Sequence, residues 1–558
     1  MSRIRRLLAR LYGDGRARAV ASELERILSA HGSPTPRRGG WSERDVWLIT
    51  YPDQFQAPGE VPLQTLRRFY RRHLASRFEG IHVLPFSPWS SDDGYSILDY
   101  HAVDSRYGTW EDIEALAAET RLMVDVVLNH MSVESGWFRS FLAGDPAYAG
   151  FFRTADPDAD LSETMRPRTH PLLTRFDGAD GPVYVWTTFS PDQADLDYRN
   201  PAVLVEIVKV VLEYARRGAS AIRLDAVGFL WKEEGTTSIH LPQTHTIVKL
   251  LRACLDATYP WVLLITETNV PQAENLTYFG EPDEPEAQAV YQFPLPPLVL
   301  HAFVTGDVRA LSTWASTITD PLGPGRSYFN FLASHDGVGL RPVEDLLAPT
   351  EIDRLIAVTR DAGGEVAWRH LEDGSHMPYE LDCTWFDLMA VGFDEEAGIR
   401  RHLASHAVMV ALPGIAGVYV HSLFGSSNDR DAYEQTGRPR SLNRQKFAPV
   451  GDLEEALTNP ASRAARVLDG IRRLLAARRA SPAFHPDAEL RVLDLGPSLF
   501  GIERAGSEEV ARVVVNVGAA EARLGVDGPW VTLPERQTAP SEVTLAGWDY
   551  VFLARRRD

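Results

Sequence analysis

Cysteine is nearly missing from this chain: Cys254 and Cys383 are the only two among 558 residues. Two thiols cannot build a disulfide framework or a cysteine-based zinc cluster, and a reducing compartment suits them. No apolar run reaches 18 residues, so no membrane span is expected. The opening stretch MSRIRRLLARLYG is basic but lacks the apolar core and cleavage site of a signal peptide. It reads as an amphipathic helix packed on the main body, with a membrane-surface helix as the alternative. A cytoplasmic protein is the expectation. An excess of positive charge is also missing. The net charge is −19, and such a field repels phosphate backbones, so no nucleic acid partner is expected. Internal repeats and low-complexity tracts are absent.

Metal-ligand spacing is poor as well. DPDADLSETMRP (156–167) spaces its aspartates like a calcium loop, but Leu161 stands where the loop needs glycine and Pro167 where it needs glutamate. HLPQTH (240–245) has no partner cysteines and no HExxH spacing. No catalytic metal is predicted.

What the chain does have is a rhythm. Short apolar runs recur at 45–50, 80–86, 121–130, 220–228, 261–269, 289–293, 327–337 and 414–420. They are apolar throughout rather than alternating, as strands buried on both faces are. Helical patterns lie between several of them. In one, Thr109 and Asp112 have capping-box spacing; another opens on Asn200-Pro201 and stops at Gly218. Strand–helix alternation repeated eight times predicts a (β/α)8 barrel of the TIM type, an α/β fold. The gaps at about 131–198 and 338–413 are too long for single connections and predict inserted subdomains. Residues 1–43 read as a helical extension with the Pro/Gly-rich linker HGSPTPRRGG (31–40), 44–485 as the barrel with its insertions, and 486–558 as a small β-domain.

Chemistry in such a barrel sits at the C-terminal ends of the strands. Those ends carry Asn129 and His130, Asp225, Glu267, and His335 with Asp336. An acid at one strand end is commonly a helix cap or a surface ion pair; three acids converging on one mouth are hard to explain that way. Arg223 and Asp225 are two apart in a strand and share a face. A guanidinium there is expected to lower the Asp225 pKa and keep it ionised, fit to act as a nucleophile. Glu267 follows the apolar run WVLLIT, which is expected to raise its pKa. An ionised Asp beside a protonated Glu is the pair a retaining glycosidase needs.

DVVLNH (125–130), IRLDAV (222–227), ITETN (265–269) and FLASHDG (331–337) resemble, in order, the four conserved regions of the α-amylase superfamily, glycoside hydrolase family 13. The resemblance implies Asp225 as nucleophile, Glu267 as acid/base and Asp336 as transition-state stabiliser, with Arg223, His130 and His335 on the sugar hydroxyls. LPFSPWSSDDGYSILDY, RLDAVGFLWKEEGT, VYQFPLPPLVLHA and SHDGVG are similar to the sucrose phosphorylase subfamily over roughly 44–500. That likeness implies that Asp92 binds the far hydroxyls of one glucosyl unit, that Tyr95 and Phe189 form an apolar platform, and that Gln193 lies nearby. A π face suits both sugar C–H groups and developing positive charge.

The resemblance also implies inorganic phosphate as co-substrate and no other cofactor, an α-glucoside as small-molecule substrate, and a homodimer as one allowed assembly. Arg168 resembles the subfamily's phosphate-binding arginine, and Arg444 another acceptor-site arginine. Sucrose phosphorylases typically carry Tyr-Gln at the acceptor loop; here Tyr379 is followed by Glu380. That pair and the N-terminal extension look like the glucosylglycerate phosphorylases of the subfamily. Glycerate is small and anionic; its carboxylate would take an arginine and its hydroxyls could donate to Glu380. Sucrose or sucrose 6′-phosphate phosphorolysis, hydrolysis or transglucosylation, and a catalytically dead amylase-like binding domain are the alternatives, the last opposed by the intact acidic triplet.

Overall fold

The computed structural model describes residues 1–32, 39–370 and 375–557; the centre of the expected linker, 33–38, lies outside the described residues. Eight parallel strands close into a barrel: β1 (Val46–Thr50), β2 (Gly80–Val83), β3 (Arg121–Val127), β4 (Ala219–Asp225), β5 (Leu263–Thr266), β6 (Ala289–Tyr291), β7 (Ser327–Asn330) and β8 (Ile415–Tyr419). Each predicted apolar run holds one of them. Nearly every strand residue is buried, because barrel interior and surrounding helices cover both faces.

The helix before β4 shows how sequence sets the local structure. Asn200 accepts a hydrogen bond from the Ala202 N–H at 3.0 Å, Pro201 occupies the first turn, and Gly218, at φ 113°, lets the chain leave for the strand. At the helix before β3, the Asp112 carboxylate accepts from the Thr109 backbone N–H at 3.0 Å, closing the capping box.

Between β3 and β4 the chain builds two antiparallel pairs, His130–Ser132 with Gln193–Asp195 and Leu173–Gly178 with Gly181–Trp186. Between β7 and β8 it builds a three-stranded sheet of Val338–Gly339, His376–Asp382 and Glu365–His370. Tyr379 and Glu380 therefore stand on a strand, not in a loop. After Glu489 come a five-stranded and a two-stranded antiparallel sheet. The helix Ser2–Ala30, interrupted at Gly13, buries Leu7, Leu8, Leu24 and Leu28. Arg3 pairs with Asp256 at 3.1 Å, and Arg6 and Arg10 with Glu284 at 3.1 and 2.5 Å. Both cysteines are buried and free. Among the described residues no helix is long and apolar enough to cross a membrane.

Candidate active site

A pocket of about 470 Å³ opens at the C-terminal end of the barrel. Asp225, Glu267 and Asp336 line it, with Asp92, Tyr95, His130, Arg168, Phe189, Gln193, His335, Tyr379, Glu380 and Arg444. Of the residues singled out in the sequence, Arg223 and Asn129 do not reach the cavity wall; Arg223 lies beneath Asp225, and Asn129 is buried beside His130.

The floor is a buried chain of charge across three neighbouring strands. On β3 and β4, Asp125 and Arg223 are register partners. Arg223 Nη1 donates to Asp125 Oδ1 at 2.5 Å and to Asp225 Oδ1 at 2.9 Å, and His82 Nε2 on β2 lies 2.6 Å from Asp125 Oδ2. Burial would raise the Asp125 pKa, but His82 and Arg223 hold it below the usual carboxylate value. The guanidinium is thus shared, which corrects the expectation for Asp225. Burial pushes Asp225 well above the usual carboxylate value; Arg223 pulls it down, and Glu267 and Asp125 push it up again. Sequence reasoning missed Asp125, although an aspartate inside the apolar run LMVDVV was a signal that a charged partner had to face it.

Glu267 stands one residue past β5. Its Oε2 accepts the Ala226 backbone N–H at 3.0 Å. Ala226 has φ 51°, a left-handed conformation that costs a non-glycine residue about 1–2 kcal/mol; the turn aims that amide at Glu267. Burial raises the Glu267 pKa against the pull of Arg223, with Asp336 adding to the rise. Asp225 and Glu267 both favour the proton, and as like charges in one dry site they titrate as a pair.

Asp336 behaves oppositely. Burial would raise it, but Arg440, 2.7 Å away, and His335 hold it far below the usual range. Arg440 also grips Glu380 with two 2.9 Å bonds from Nη2 to the two carboxylate oxygens. Glu380 therefore lines the cavity already engaged in an ion pair, which the sequence did not suggest. Arg440 went unnoticed because the segment RPRSLNR offers three arginines at 438, 440 and 444, and spacing alone does not choose among them.

Arg444 also departs from its expected position at the acceptor. Its Nη1 donates to Asp93 at 2.6 Å and Asp92 at 3.5 Å, and its Nε to the His335 carbonyl at 2.9 Å. It belongs to the Asp92 side of the pocket because that pair of acids draws it there. Tyr95 and His335 stack face to face, 4.8 Å between centroids and 3° between planes. Burial keeps the His335 pKa low, against the opposing charge of Asp336. Phe189 meets Phe229 edge-on at 5.3 Å. His130 Nε2 lies 3.1 Å from the Tyr95 carbonyl and its Nδ1 3.3 Å from Asn129 Nδ2, so both ring nitrogens already have partners. Gln193 is buried at the wall.

Arg168 differs from the other arginines. Its guanidinium carbon lies 5.2 Å from the Tyr379 ring centre and 6.0 Å from that of Phe189, and it makes no ion pair among the described residues. It is a cation with donors to spare.

Among the described residues no group of three or more His, Cys, Asp or Glu side chains could hold a metal ion. Behind the pocket, a buried ammonium does a cation's work: Lys232 Nζ donates to Asn129 Oδ1 at 2.7 Å and the Phe229 carbonyl at 2.8 Å, and lies 3.3 Å from Asp195 Oδ2.

Residues 76–337 match the alpha amylase catalytic domain. Over 94% of this chain and 94% of its own length, the glucosylglycerate phosphorylase of Allomeiothermus silvanus is 49% identical. The chain belongs to the α-amylase family, and within it to the group of the glucosylglycerate phosphorylases. The Escherichia coli glucosylglycerate phosphorylase is 44% identical over 87% of this chain and 86% of its own. The Agrobacterium vitis sucrose phosphorylase is 30% identical over 87% and 98%. The crystal structure of sucrose 6F-phosphate phosphorylase from Thermoanaerobacter thermosaccharolyticum shares the fold, with a TM-score of 0.74 at 23% identity over 85% of this chain and 94% of that one.

Proposed function

We propose that the protein is a retaining α-glucoside phosphorylase that interconverts 2-O-α-glucosylglycerate and phosphate with α-glucose 1-phosphate and glycerate. The observation that carries this reading is the 44–49% identity to three glucosylglycerate phosphorylases over 87–94% of the chain. Sucrose phosphorylases stand further off, at 25–30%.

In this reading the Asp225 carboxylate attacks the anomeric carbon while Glu267 gives its proton to the departing glycerate oxygen. The carbon–oxygen bond breaks and a glucosyl ester on Asp225 forms. Glu267, now a carboxylate, takes a proton from phosphate as a phosphate oxygen attacks the same carbon and frees Asp225. The shared proton belongs on Glu267 at the start: Asp225 accepts from a cationic donor, Glu267 from a neutral backbone amide, and the cation favours the charged form more.

Asp336, kept ionised by Arg440, faces the developing positive charge, and the stacked Tyr95 and His335 with Phe189 supply the flat apolar wall. Asp92, oriented by Arg444, takes the far hydroxyls; Gln193 and His130 complete that end. Arg168, free of acidic partners and held over Tyr379, receives the oxyanion of phosphate or glycerate. Glu380 holds Arg440 in place beside it. Phosphate is the only co-substrate in this scheme, no cofactor takes part, and a cytoplasmic setting, with free thiols and phosphate at hand, suits it.

The test is glucose 1-phosphate formation from glucosylglycerate, sucrose and sucrose 6′-phosphate, each with and without phosphate. Product from glucosylglycerate with phosphate alone is expected. Phosphate-independent glucose release from all three would sink the phosphorylase reading, and activity confined to sucrose would sink the acceptor.

A further inference from the structure

Three carboxyl groups in the pocket have no part in that scheme: Asp93 is held by Arg444 and Asp192 by Ser91 and Ser190, which leaves Asp382. Asp382 stands two residues after Glu380 on the same strand, so both side chains leave from the same face. Glu380 is held by Arg440; Asp382, 1% exposed, has no hydrogen-bond partner on either carboxyl oxygen among the described residues. It nevertheless lines the cavity. Its Oδ1 leans on Gly337, where an added Cβ would come within 2.8 Å, so the missing side chain at 337 makes room for it next to Asp336.

A buried carboxylate without donors is too costly to persist, so the group keeps its proton. Burial, followed by the charge of Glu380, pushes its pKa up to about 7, and Arg440, Arg168 and Arg444 pull the other way. Glu365 stands opposite in the ladder. A neutral carboxyl carries an O–H that needs an acceptor, and none is supplied among the described residues. The cavity beside it is also lined by Arg168, the cation assigned above to the acceptor oxyanion.

We propose that Asp382 works in its protonated form, donating a hydrogen bond to the oxyanion of the acceptor, the glycerate carboxylate or phosphate. The inference rests on the phosphorylase reading above. A protonated acid donates to an anion where an ionised one repels it, so Asp382 makes acceptor binding depend on pH and admits oxyanions only while it holds its proton.

The experiment follows the KM for glycerate in synthesis, at saturating glucose 1-phosphate, from pH 6 to 8.5. Phosphate titrates near this range, so the second arm uses sulfate as a competitive inhibitor of phosphorolysis. In the wild-type enzyme the glycerate KM and the sulfate inhibition constant are expected to climb toward about tenfold per pH unit above the pKa, the limit for losing one proton. Asp382→Asn keeps a donor and cannot ionise; it should bind at pH 6 within a few-fold of wild type and show a flat profile. Asp382→Leu should bind poorly throughout. A slope in one arm only supports the proposal and identifies the oxyanion served. Flat wild-type profiles in both arms, or an Asp382→Asn slope equal to wild type, would overturn it. Should that variant fail to fold, the wild-type profile decides alone. Failure of the functional reading looks different: the wild-type protein then makes no glucose 1-phosphate from any donor.

Discussion

The Arg440 guanidinium lies 2.7 Å from the Asp336 carboxylate, and Glu380 holds it there from the other side. One cation thereby links Asp336 to the strand that carries Tyr379 and Glu380. Arg440→Ala should lower kcat/KM by roughly 10²–10³-fold, the usual cost of an electrostatic group in a dry site. Its signature is in the pH profile. Burial would raise Asp336, and Arg440 is the main influence holding it down. Without it the Asp336 pKa rises, so the acid limb of kcat/KM moves to higher pH. A rate loss with an unmoved acid limb would separate Arg440 from Asp336.

Asp225→Asn should remove glucosyl transfer, with a loss of roughly 10⁴-fold or more for a nucleophile that cannot be replaced. The fold should survive, because an amide relieves the repulsion that Glu267 and Asp125 exert on that carboxyl. Thermal melting is expected to be unchanged or slightly raised. Residual transfer at wild-type rates would remove Asp225 from the mechanism.

Glu267→Gln separates acid catalysis from nucleophilic attack. With glucosylglycerate the loss should be about 10²–10⁴-fold, the range for general acid–base catalysis. With α-glucosyl fluoride, whose leaving group needs no proton, formation of the glucosyl ester should be far less affected. Equal losses on both donors would mean that Glu267 does something other than protonate the leaving oxygen.

The barrel was legible because its signal is local: eight apolar runs of strand length, spaced by helices that announce their own caps at Thr109 and Asn200. The acidic triplet was legible because each member lies in the last few residues of such a run. Partnerships across strands were not. Arg223 is two residues from Asp225 in sequence but is also the register partner of Asp125, and only the closed barrel brings those strands together. Arg440 stayed hidden beside Arg444 for the same reason: the segment carrying both meets Asp336 and Glu380 through the first and Asp92 and Asp93 through the second, and which acid each arginine meets is decided by the path of the chain. Asp382 lay within reach of sequence reasoning, since strand alternation puts it on the face of Glu380.

Arg168 is the cation to test for oxyanion binding. It makes no ion pair among the described residues, so Arg168→Ala leaves no buried acid without a partner and should leave thermal melting close to wild type. The KM for phosphate should rise by roughly 10–100-fold, the equivalent of a charge-assisted hydrogen bond or two. Water should then compete better for the glucosyl ester, and the ratio of free glucose to glucose 1-phosphate should climb. An unchanged phosphate KM would place the oxyanion elsewhere in the pocket.

Lys232 carries the strongest stability prediction. Its ammonium is buried against Asp195 and Asn129, and Asp195 is itself wholly buried. Lys232→Met removes the cation and strands the acid, at a cost of about 3–5 kcal/mol, the usual penalty for breaking a buried pair from one side. Chemical denaturation should show it as a lower midpoint. Asp195→Asn in the same chain removes the stranded charge, so the double variant should recover much of the loss, a non-additivity expected only of residues in direct contact. Asn129 neighbours His130, whose Nδ1 it meets at 3.3 Å; the single variant should therefore also weaken glucosyl binding. Additive losses would show that Lys232 and Asp195 act independently, and unchanged glucosyl binding in Lys232→Met would show that this buried pair does not support the pocket wall.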